Sequence, residues 1–501
     1  MIPKNQIISL SQYLEKPSCD FQRADLLKVI KEKELERITF HYTAIDGRLK
    51  ELKFPVSNVR DSELILAEGE RVDGSSLFKG IIETEFSDLY VVPDYKTAFL
   101  SPFDTESLDV ICRFLDKDGR RVPFALDNIL GKASQIFQMN TGLQLYALGE
   151  LEFFLIREKG ENLFPLETQK GYHESSPFLK SGDILNEMAY YVNKITGALK
   201  YVHSEVGCID NIESELDEIR DKKAEQMELE FQTRPVCEMA DILVLSRWII
   251  RNVAFQHGCV ATFTPKLAET VAGNGLHFHL ELKKDGMNVM RSSDGKLSTS
   301  ALQLIGGLCK HADSLLAFGN TMASSYMRLV PEQEAPTRIC WSDQNRSALI
   351  RVPLAWANVC GLSHEINPQE TETWESKESR QTVELRSPDG SALIHLLLAG
   401  IVMATEWSFK DNLSLELAEK YYAKTDKLQD QSNVFPLLPA SCEESSRILL
   451  ENRNLYEREG VFPPGVIEYI ANLLQNEEIE GAREGRTQDI QDILHRDIHR
   501  H

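Results

Sequence analysis

The chain has 501 residues, of which 42% are hydrophobic and 26% charged; this is ordinary globular usage and allows roughly two to four domains. The formal net charge of −22 argues against nucleic acid or an anionic membrane as the main partner, but it leaves room for an anionic ligand held by local arginines. The nine cysteines form no CxxC pair, which is typical of reduced thiols in a cytoplasmic protein.

The first part of the chain has the pattern of a helix followed by short strands. Residues 21–35 have amphipathic spacing and predict a helix. From residue 36 to about 123, strand-like runs alternate with turns such as AIDGR (44–48) and DKDGR (116–120). We therefore expect a first domain at 1–123 and a second at 124–501.

In the second part, long helical patterns alternate with short strands. Helices are predicted at 124–139, 239–258 and 300–319, and the apolar run 392–404 is too short to cross a bilayer and predicts a buried helix. This mixture predicts an α+β fold with an antiparallel sheet. Residues 207–225 are charged and indicate an exposed insertion or a solvated helix, and 476–501 form a polar tail.

Two acidic residues stand out in the strand-like stretch GELEFFLI (149–156). Because side chains alternate along a strand, Glu150 and Glu152 point to the same face. An unpaired carboxylate beside so many apolar residues is costly to bury. The common explanation for such a pair is a solvated face, and the other is a bound cation.

Similar pairs occur on other predicted strands. His277 and His279 lie two apart in GNGLHFHLEL, and Glu384 and Arg386 lie two apart in TVELRSPDG. Further acids stand in HSEVG (203–207) and EQMELEF (225–231). If these strands line one cavity, carboxylates with an imidazole suit Mg²⁺ or Mn²⁺. The alternative is a set of solvent-facing residues and a surface ion pair.

An arginine cluster follows at 326–353, in an otherwise acidic chain. It contains Arg328, Arg338, Arg346 and Arg351, whose forked guanidinium groups bind carboxylate or phosphate. Acids for a metal together with arginines suggest phosphoryl transfer, although Walker A, kinase and Rossmann motifs are absent from the sequence. The alternative is a surface network of ion pairs.

Taken in chain order, these motifs resemble the glutamine synthetase family and its γ-glutamyl-amine ligase relatives, in particular a bacterial branch with a longer chain. The resemblance covers about residues 36–445. It rests on VDGSSLFKG (72–80), SDLYVVPD (87–94), GELEFF (149–154), HSEV (203–206), EQMELEF (225–231), GNGLHFH (273–279), RLVPEQEAP (328–336), NRSALIRVP (345–353) and VELRSPDGSA (383–392). It implies an N-terminal β-grasp domain and a larger catalytic domain, built on a curved antiparallel sheet with flanking helices.

The resemblance also implies roles for individual residues. One metal ion would be held by Glu152, Glu205 and Glu228, and a second by Glu150, His277 and Glu384. The substrate would be bound by Gly273, Arg328, Arg386 and Ser76, and ATP by His279, Arg351, Lys377 and Arg380. The residues implied in catalysis are Asp73 from a neighbouring subunit, Glu334 on a closing flap and Arg346 at the transferred phosphoryl group.

The implied reaction joins ammonia to the γ-carboxylate of L-glutamate at the expense of ATP, with Mg²⁺ or Mn²⁺, through a γ-glutamyl phosphate. The implied assembly is a cytoplasmic homo-oligomer of stacked hexameric rings, with active sites between subunits. One alternative is a ligase for an organic amine; Asp73 and Glu334 favour ammonia. Another is a non-catalytic homologue, which the six candidate metal ligands disfavour.

The sequence departs from the family pattern where the nucleotide is expected. Ser379 and Thr382 stand where the family has a Lys and an Arg, and Ala272 and Glu281 replace an Asn and a Ser. Lys377 and Arg380 keep the spacing of the missing pair two positions upstream, and a two-residue shift preserves the face of a strand. Equally, both could be solvated, with Arg351 alone at the phosphates.

Overall fold

The computed structural model of the protein describes residues 9–82, 87–160, 163–330, 335–356, 361–372, 378–424, 434–483, 490–496 and 498–500. Two residues with predicted roles, Glu334 and Lys377, lie outside these ranges.

The N-terminal part is a small mixed sheet with four helices. Its strands are β1 (Arg37–Thr43), β2 (Leu49–Pro55), β3 (Glu70–Asp73), β4 (Asp88–Pro93), β5 (Phe99–Leu100) and β6 (Ser107–Leu115). Its helices are α1 (Leu10–Leu14), α2 (Arg23–Glu32), α3 (Val59–Glu68) and α4 (Gly74–Leu77). The strand order is β2-β1-β6-β4-β3, with β5 beside β6 and the central β1–β6 pair parallel. This is the β-grasp domain that the resemblance implies.

The larger part is built on a ten-stranded sheet that curls into a half-barrel. The strands are β7 (Gln144–Arg157), β8 (Leu199–Ile209), β9 (Lys223–Phe231), β10 (Arg234–Pro235), β11 (Val260–Thr262), β12 (Leu276–Lys284), β13 (Met287–Asn288), β14 (Trp341–Asp343), β15 (Ile350–Val352) and β16 (Val383–Leu385). They lie in the order β14-β15-β16-β12-β7-β9-β8; β10 and β11 also pair with β7, and β13 with β12. Only the β14–β15 pair is parallel among the described pairs of this sheet, so the predicted antiparallel α+β class is confirmed.

Helices surround this sheet and supply most of the core. They are α5 (Leu126–Thr141), α6 (Gly182–Thr196), α7 (Val236–Gln256), α8 (Thr299–Gly319), α9 (Ala323–Arg328), α10 (Leu362–Ile366), α11 (Ile394–Lys410), α12 (Leu413–Lys420), α13 (Cys442–Glu451), α14 (Arg453–Glu457), α15 (Pro464–Arg483) and α16 (Ile490–His495). Each of the four helices predicted in this part is present as α5, α7, α8 and α11. Helix α11 is buried on nearly all sides between α5 and α8. Within the described residues, no helix combines the length and the apolar character that a membrane span needs.

The charged segment between β8 and β9 is not a helix, so that part of the prediction is wrong. Residues 210–222 form a loop that joins the two strands. Ile212 and Ile219 are buried against Phe154 and Ile156 in a small separate apolar cluster. The burial of these two isoleucines could not be predicted from the sequence, because single apolar residues in a charged loop have no periodic spacing.

Candidate active site

Strand register brings the acidic residues together on one face of the sheet. On β7, Glu150 lies opposite Glu230 and Glu152 opposite Glu228 of β9. Glu150 also lies opposite His277 of β12. Directly opposite residues of antiparallel strands have Cβ atoms about 4.5–5.5 Å apart, so pairing alone crowds these side chains. Between the two acids of β7, Leu151 faces the other way and is fully buried in the core.

The next two strands extend the same pattern. His279 of β12 lies opposite Glu384 of β16, and Arg351 of β15 lies opposite Glu384 as well. The predicted pairs at two-residue spacing are therefore neighbours in space. Their convergence confirms the expectation that separate strands line one cavity.

A first cluster contains Glu150, both histidines and Glu384. His279 Nε2 lies 2.9 Å from Glu150 Oε1, and His277 Nδ1 lies 3.0 Å from Glu150 Oε2. Glu384 is 3.8 Å from His277 Nδ1 and 3.9 Å from His279 Nε2. Ligand atoms of Glu150, His279 and Glu384 come within 4.8 Å of one another, so His279 is placed at least as well as His277 to complete a metal site.

A second cluster contains His203, Glu205 and Glu228, whose ligand atoms also lie within 4.8 Å of one another. His203 is 3.6 Å from each of the two carboxylates. Glu150, Glu228 and Glu230 form a further such group that joins this cluster to the first. Since Glu152 lies opposite Glu228, five acids share one small region of the sheet.

The protonation of these acids indicates a site for cations. Burial, together with the charges of Glu150 and Glu152, raises the pKa of Glu228 to about 9. Burial also raises the pKa of Glu152 to about 7, and the charge of Glu205 adds to this. Divalent cations would remove this penalty by favouring the ionised forms. A donor set of carboxylates with one or two imidazoles fits Mg²⁺ or Mn²⁺.

The first cluster is already partly neutralised by protein groups. Burial alone would raise the pKa of Glu150, but His279 and His277 outweigh it and hold that pKa well below its usual range. Glu384 is fully buried and accepts hydrogen bonds from Arg351 Nη1 at 2.7 Å and Arg386 Nη1 at 2.8 Å. Its pKa is lowered despite burial, chiefly by His279 and Arg386. Both carboxylates are therefore ionised. Burial would lower the pKa of His279, but Glu150 and Glu384 outweigh it and raise that pKa, so a cation bound here would displace a proton from this ring.

A glycine-rich turn lies against both clusters. Gly275 N donates to Glu152 Oε2 at 2.8 Å, which fixes that carboxylate. A Cβ atom at Gly273 would lie 2.3 Å from Pro265 O, and one at Gly275 would lie 2.7 Å from His277 Nε2. Position 273 therefore requires glycine, because a backbone carbonyl cannot move aside. At position 275 a side chain would displace the side chains of His277, Arg328 and Glu152.

One cavity of about 2760 Å³ contains both clusters. It is also lined by residues predicted to bind substrate or nucleotide, namely Gly273, Arg328, Arg346, Arg351, Arg380 and Arg386. Arg328 Nη1 donates to Ser387 O at 3.0 Å, and its Nη2 lies 3.3 Å from His277 Nε2. Arg380 is exposed at the cavity surface, and the described residues place no carboxylate against it.

Two predicted residues lie elsewhere in this single chain. Asp73 and Ser76 are outside the residues that line the cavity. Asp73 caps α4, where it accepts hydrogen bonds from Ser76 Oγ at 2.6 Å, Ser75 Oγ at 2.7 Å and Ser75 N at 3.0 Å. The Ser76 and Ser75 hydroxyls lower the pKa of this exposed carboxylate to about 2.

Several cavity residues were not predicted from the sequence. His203 lies two residues before Glu205 on β8, so the spacing rule applied to the other strands would have found it. Tyr172 gives no such signal because it stands in a loop, where Arg346 lies over its ring at 5.6 Å. Thr382 Oγ1 lies 3.0 Å from His279 Nδ1 and fixes the orientation of that ring.

Family models match both parts of the chain. A model described as glutamine synthetase, beta-Grasp domain, matches residues 34–117, and one described as glutamine synthetase, catalytic domain, matches residues 128–491. Glutamine synthetase of Pyrococcus horikoshii is 31% identical over 419 residues, which cover 82% of this chain and 83% of the relative. Glutamine synthetase of Methylococcus capsulatus is 28% identical over 475 residues, which cover 90% of this chain and 94% of that relative.

Solved structures share the fold. The cryoEM structure of Plasmodium falciparum glutamine synthetase matches with a TM-score of 0.74 and 21% identity, over 94% of this chain and 98% of that one. A structure of GmaS without ligand matches with a TM-score of 0.72 and 20% identity, over 95% and 100%. By its two matched domains and its curated relatives, the chain belongs to the glutamine synthetase family and carries the catalytic domain of a ligase.

Proposed function

We propose that the protein joins ammonia to the γ-carboxylate of L-glutamate with ATP, through γ-glutamyl phosphate, and releases glutamine, ADP and phosphate. The observation that carries this proposal is the shared cavity, in which two acidic clusters adjoin a set of arginines. Such an arrangement suits phosphoryl transfer, where catalysis consists mainly of positioning and charge neutralisation.

The arginines divide into two groups by their surroundings. Arg328 lies beside Gly273 and His277, which supports a role at the α-carboxylate of glutamate. Arg386 is buried beside Glu384 and would hold the γ-carboxylate. Arg346 and Arg351 would face the transferred phosphoryl group, because a guanidinium keeps its charge and fits a phosphate with two donors.

Bound Mg²⁺ or Mn²⁺ would neutralise the phosphate oxygens and keep the surrounding carboxylates ionised. The residues that would hold the ions are Glu152, Glu205 and Glu228 for one, and Glu150, His277 and Glu384 for the other, with His203 and His279 as further donors. His279, Arg351, Lys377 and Arg380 would contact ATP.

The remaining roles concern the acceptor amine. An acyl phosphate hydrolyses easily, so the site must exclude water during the reaction. Glu334 on the 328–336 segment would close the site and act as a base. Asp73, supported by Ser76, would come from an adjacent subunit of a ring and attract ammonium. This proposal includes a homo-oligomer of stacked hexameric rings.

An organic amine as acceptor is the second candidate. It is favoured by aromatic rings on the wall of the cavity: Tyr172 and Tyr201, 44% and 45% exposed, lie 5.6 and 5.8 Å from the ring of His203, beside the acidic cluster. Aromatic faces attract alkylammonium ions. The likeness to GmaS concerns the fold and does not choose between acceptors.

A substrate screen tests both candidates. Full-length protein is incubated with glutamate, ATP and Mg²⁺ and either ammonium, methylamine or ethanolamine, and phosphate release and product mass are measured. Glutamine as the main product supports the proposal, and a γ-glutamyl alkylamide formed in preference supports the second candidate. Phosphate release that no amine stimulates would contradict both.

A further inference from the structure

An apolar segment stands at the mouth of the cavity, between β15 and β16. Leu354 and Trp356 are 69% and 65% exposed, although both line the cavity. Ile366, farther along the same connection, is 79% exposed and does not line it. Large exposed apolar side chains on a cavity wall mark a place where a ligand covers them.

The backbone of this segment is held by polar contacts. Arg291 Nη2 donates to Ala355 O at 3.0 Å, and Gln381 Nε2 donates to Pro353 O at 3.1 Å. Arg291 also donates two hydrogen bonds to Gln381 Oε1, from Nη2 at 2.7 Å and from Nε at 3.0 Å. Leu354 and Trp356 are therefore presented by an anchored backbone, although their side chains are exposed.

The hydrogen-bond acceptors of Arg291 show how it holds the backbone of this segment. All the acceptors that the structure gives it are neutral: Gln381 Oε1, Ala355 O and Gly295 O. These bonds use most of the five N–H groups of the guanidinium. Arg291 thus connects three segments at the mouth of the cavity and also leaves its positive charge uncompensated by any described carboxylate there.

The apolar wall lies beyond the ends of the strands that carry Arg351 and Glu384. Arg351 and Glu384 pair at the first cluster, and from there Ala355 and Arg380 are each four residues away along neighbouring segments. Four residues span at most about 13 Å when they are fully extended. This upper limit leaves room for the triphosphate and ribose of a nucleotide between the acids and the apolar wall.

The same direction is followed on β12. Glu281 and Lys283 follow His279 by two and four residues, so they share its face of the strand, and both line the cavity. Three neighbouring segments thus carry cavity-lining residues away from the metal-ligand acids toward Leu354 and Trp356. The polar residues that line the cavity therefore lead from the acids to the apolar side chains of Leu354 and Trp356. A ligand with one charged end and one aromatic end fits this arrangement.

We propose that Trp356 and Leu354 form the wall on which the base of the nucleotide stacks, with Arg291 as the residue that positions this wall. This inference rests on the proposed use of ATP. It gives this chain a base subsite made by residues 354–356, close to the segment in which Ser379 and Thr382 lack the cationic side chains of the family pattern.

The test measures ADP binding to the full-length protein with Mg²⁺ by titration calorimetry. Trp356→Ala should weaken ADP binding about tenfold, within the range that base–aromatic stacking provides, and leave the KM for glutamate within about twofold. Trp356→Phe should bind ADP almost as wild type does. Ile366→Ala is the control, since it removes a still more exposed apolar side chain that does not line the cavity, and it should change neither quantity.

Arg291 is tested by a double-mutant cycle. Arg291→Lys keeps the charge but loses the forked contacts, so it should weaken ADP binding several-fold in the wild-type background. In the Trp356→Ala background it should cost almost nothing more, because the wall that it positions is already gone. Additive losses would mean that Arg291 contacts the nucleotide directly and would overturn its positioning role.

Two further outcomes separate this inference from the proposed function. If wild-type protein binds ADP and Trp356→Ala binds it equally well, the base wall is wrong and the proposed function stands. If wild-type protein binds no ADP, the proposed function and the base wall fail together. A change in oligomer size in Trp356→Ala, without a change in ADP affinity, would assign the patch to contacts between copies instead.

Discussion

At the scale of single residues, Glu228 shows most directly what the cavity requires. Its burial, together with the charges of Glu150 and Glu152, raises its pKa to about 9, from an ordinary value of 4.5. The folded protein without metal therefore holds a proton that the unfolded chain releases. Stability from this group is present below pH 4.5 and is lost as pH rises through about 9.

We predict that Glu228→Gln changes the pH dependence of stability. In EDTA, the melting temperature of wild-type protein should fall more steeply between pH 6 and 9 than that of Glu228→Gln, because glutamine has no proton to lose. With Mn²⁺ the comparison should reverse: the melting temperature of the variant should then fall more steeply than that of wild type, since the variant lacks a ligand for the ion. Scanning calorimetry in both conditions measures this.

The control for this prediction lies on the same strand. Glu225→Gln changes a buried acid on the opposite face of β9, where Glu225 accepts hydrogen bonds from Ser181 Oγ and Lys180 N. For Glu225→Gln, the comparison of melting temperatures with wild type should be the same in EDTA and in Mn²⁺. Parallel pH curves for wild type and Glu228→Gln in EDTA would contradict the assignment of Glu228.

Glu384 carries a second prediction at this scale. Glu384→Ala should abolish synthesis and leave a folded protein, since it removes a ligand of the first cluster and leaves Arg351 and Arg386 without their shared carboxylate. The expected loss of transition-state stabilisation is about 3 kcal/mol or more. Glu152→Ala should act in the same way on the second cluster. Turnover near the wild-type value at saturating Mg²⁺, in either variant, would refute the role.

At the scale of elements, residues 490–496 and 498–500 near the C-terminus support the backbone that lies behind the glycine turn. Thr262 Oγ1 donates to Ile498 O at 2.7 Å, and His495 Nε2 lies 3.0 Å from Leu267 O. On the other side of the same backbone, Asn274 Nδ2 donates to Thr264 O at 2.8 Å. A single layer of backbone thus separates this segment from the turn that contains Gly273.

We predict that removal of residues 490–501 loosens this turn. The KM for glutamate should rise several-fold, while the affinity for ADP changes little, because Gly273 in this turn is proposed to bind glutamate. Steady-state kinetics and calorimetry measure the two quantities. His499→Ala, which removes only an exposed ion pair with Glu218, is the control and should leave both unchanged. An equal effect of the deletion on ADP and glutamate would indicate general destabilisation instead.

The elements also show what the sequence could predict. Helices α5, α7, α8 and α11 are long, and the periodic spacing of their apolar residues predicted them. The acids and histidines of β7 and β12 were predicted because strand alternation determines which side chains share a face. The base wall at Leu354 and Trp356 was not predicted, since a connection with only one short described helix has no period. Nor could spacing predict the contacts of Arg291, which join segments far apart in the chain.

At the scale of the whole molecule, the cavity of one chain lacks the predicted ammonium residue. Asp73 is exposed, fixed by three hydrogen bonds and ionised, yet it lies outside the cavity. A rigid surface carboxylate is well suited to complete a site on a neighbouring copy, as happens in rings formed by head-to-tail contacts.

We predict that two inactive variants complement each other. Asp73→Ala and Glu152→Ala chains should each be inactive alone, and oligomers assembled from a mixture should recover part of the activity. Recovery is expected because, in the proposed assembly, some interfaces then combine an intact Asp73 with an intact cavity. Native mass spectrometry measures the oligomer and its mixing, and mixed oligomers without activity would argue against a shared site.

Strand β7 has a consequence for how this enzyme can change. Under the proposed assignment Glu150 would hold one ion and Glu152 the other. The two acids are two residues apart on β7, so one pleat of about 6.6 Å would set the spacing of the two cation positions. A single-residue insertion upstream in β7 would turn both carboxylates toward the core at once. The two proposed ion positions would therefore be coupled: a substitution could alter the ligands of one ion, but it could not change the separation that the strand imposes.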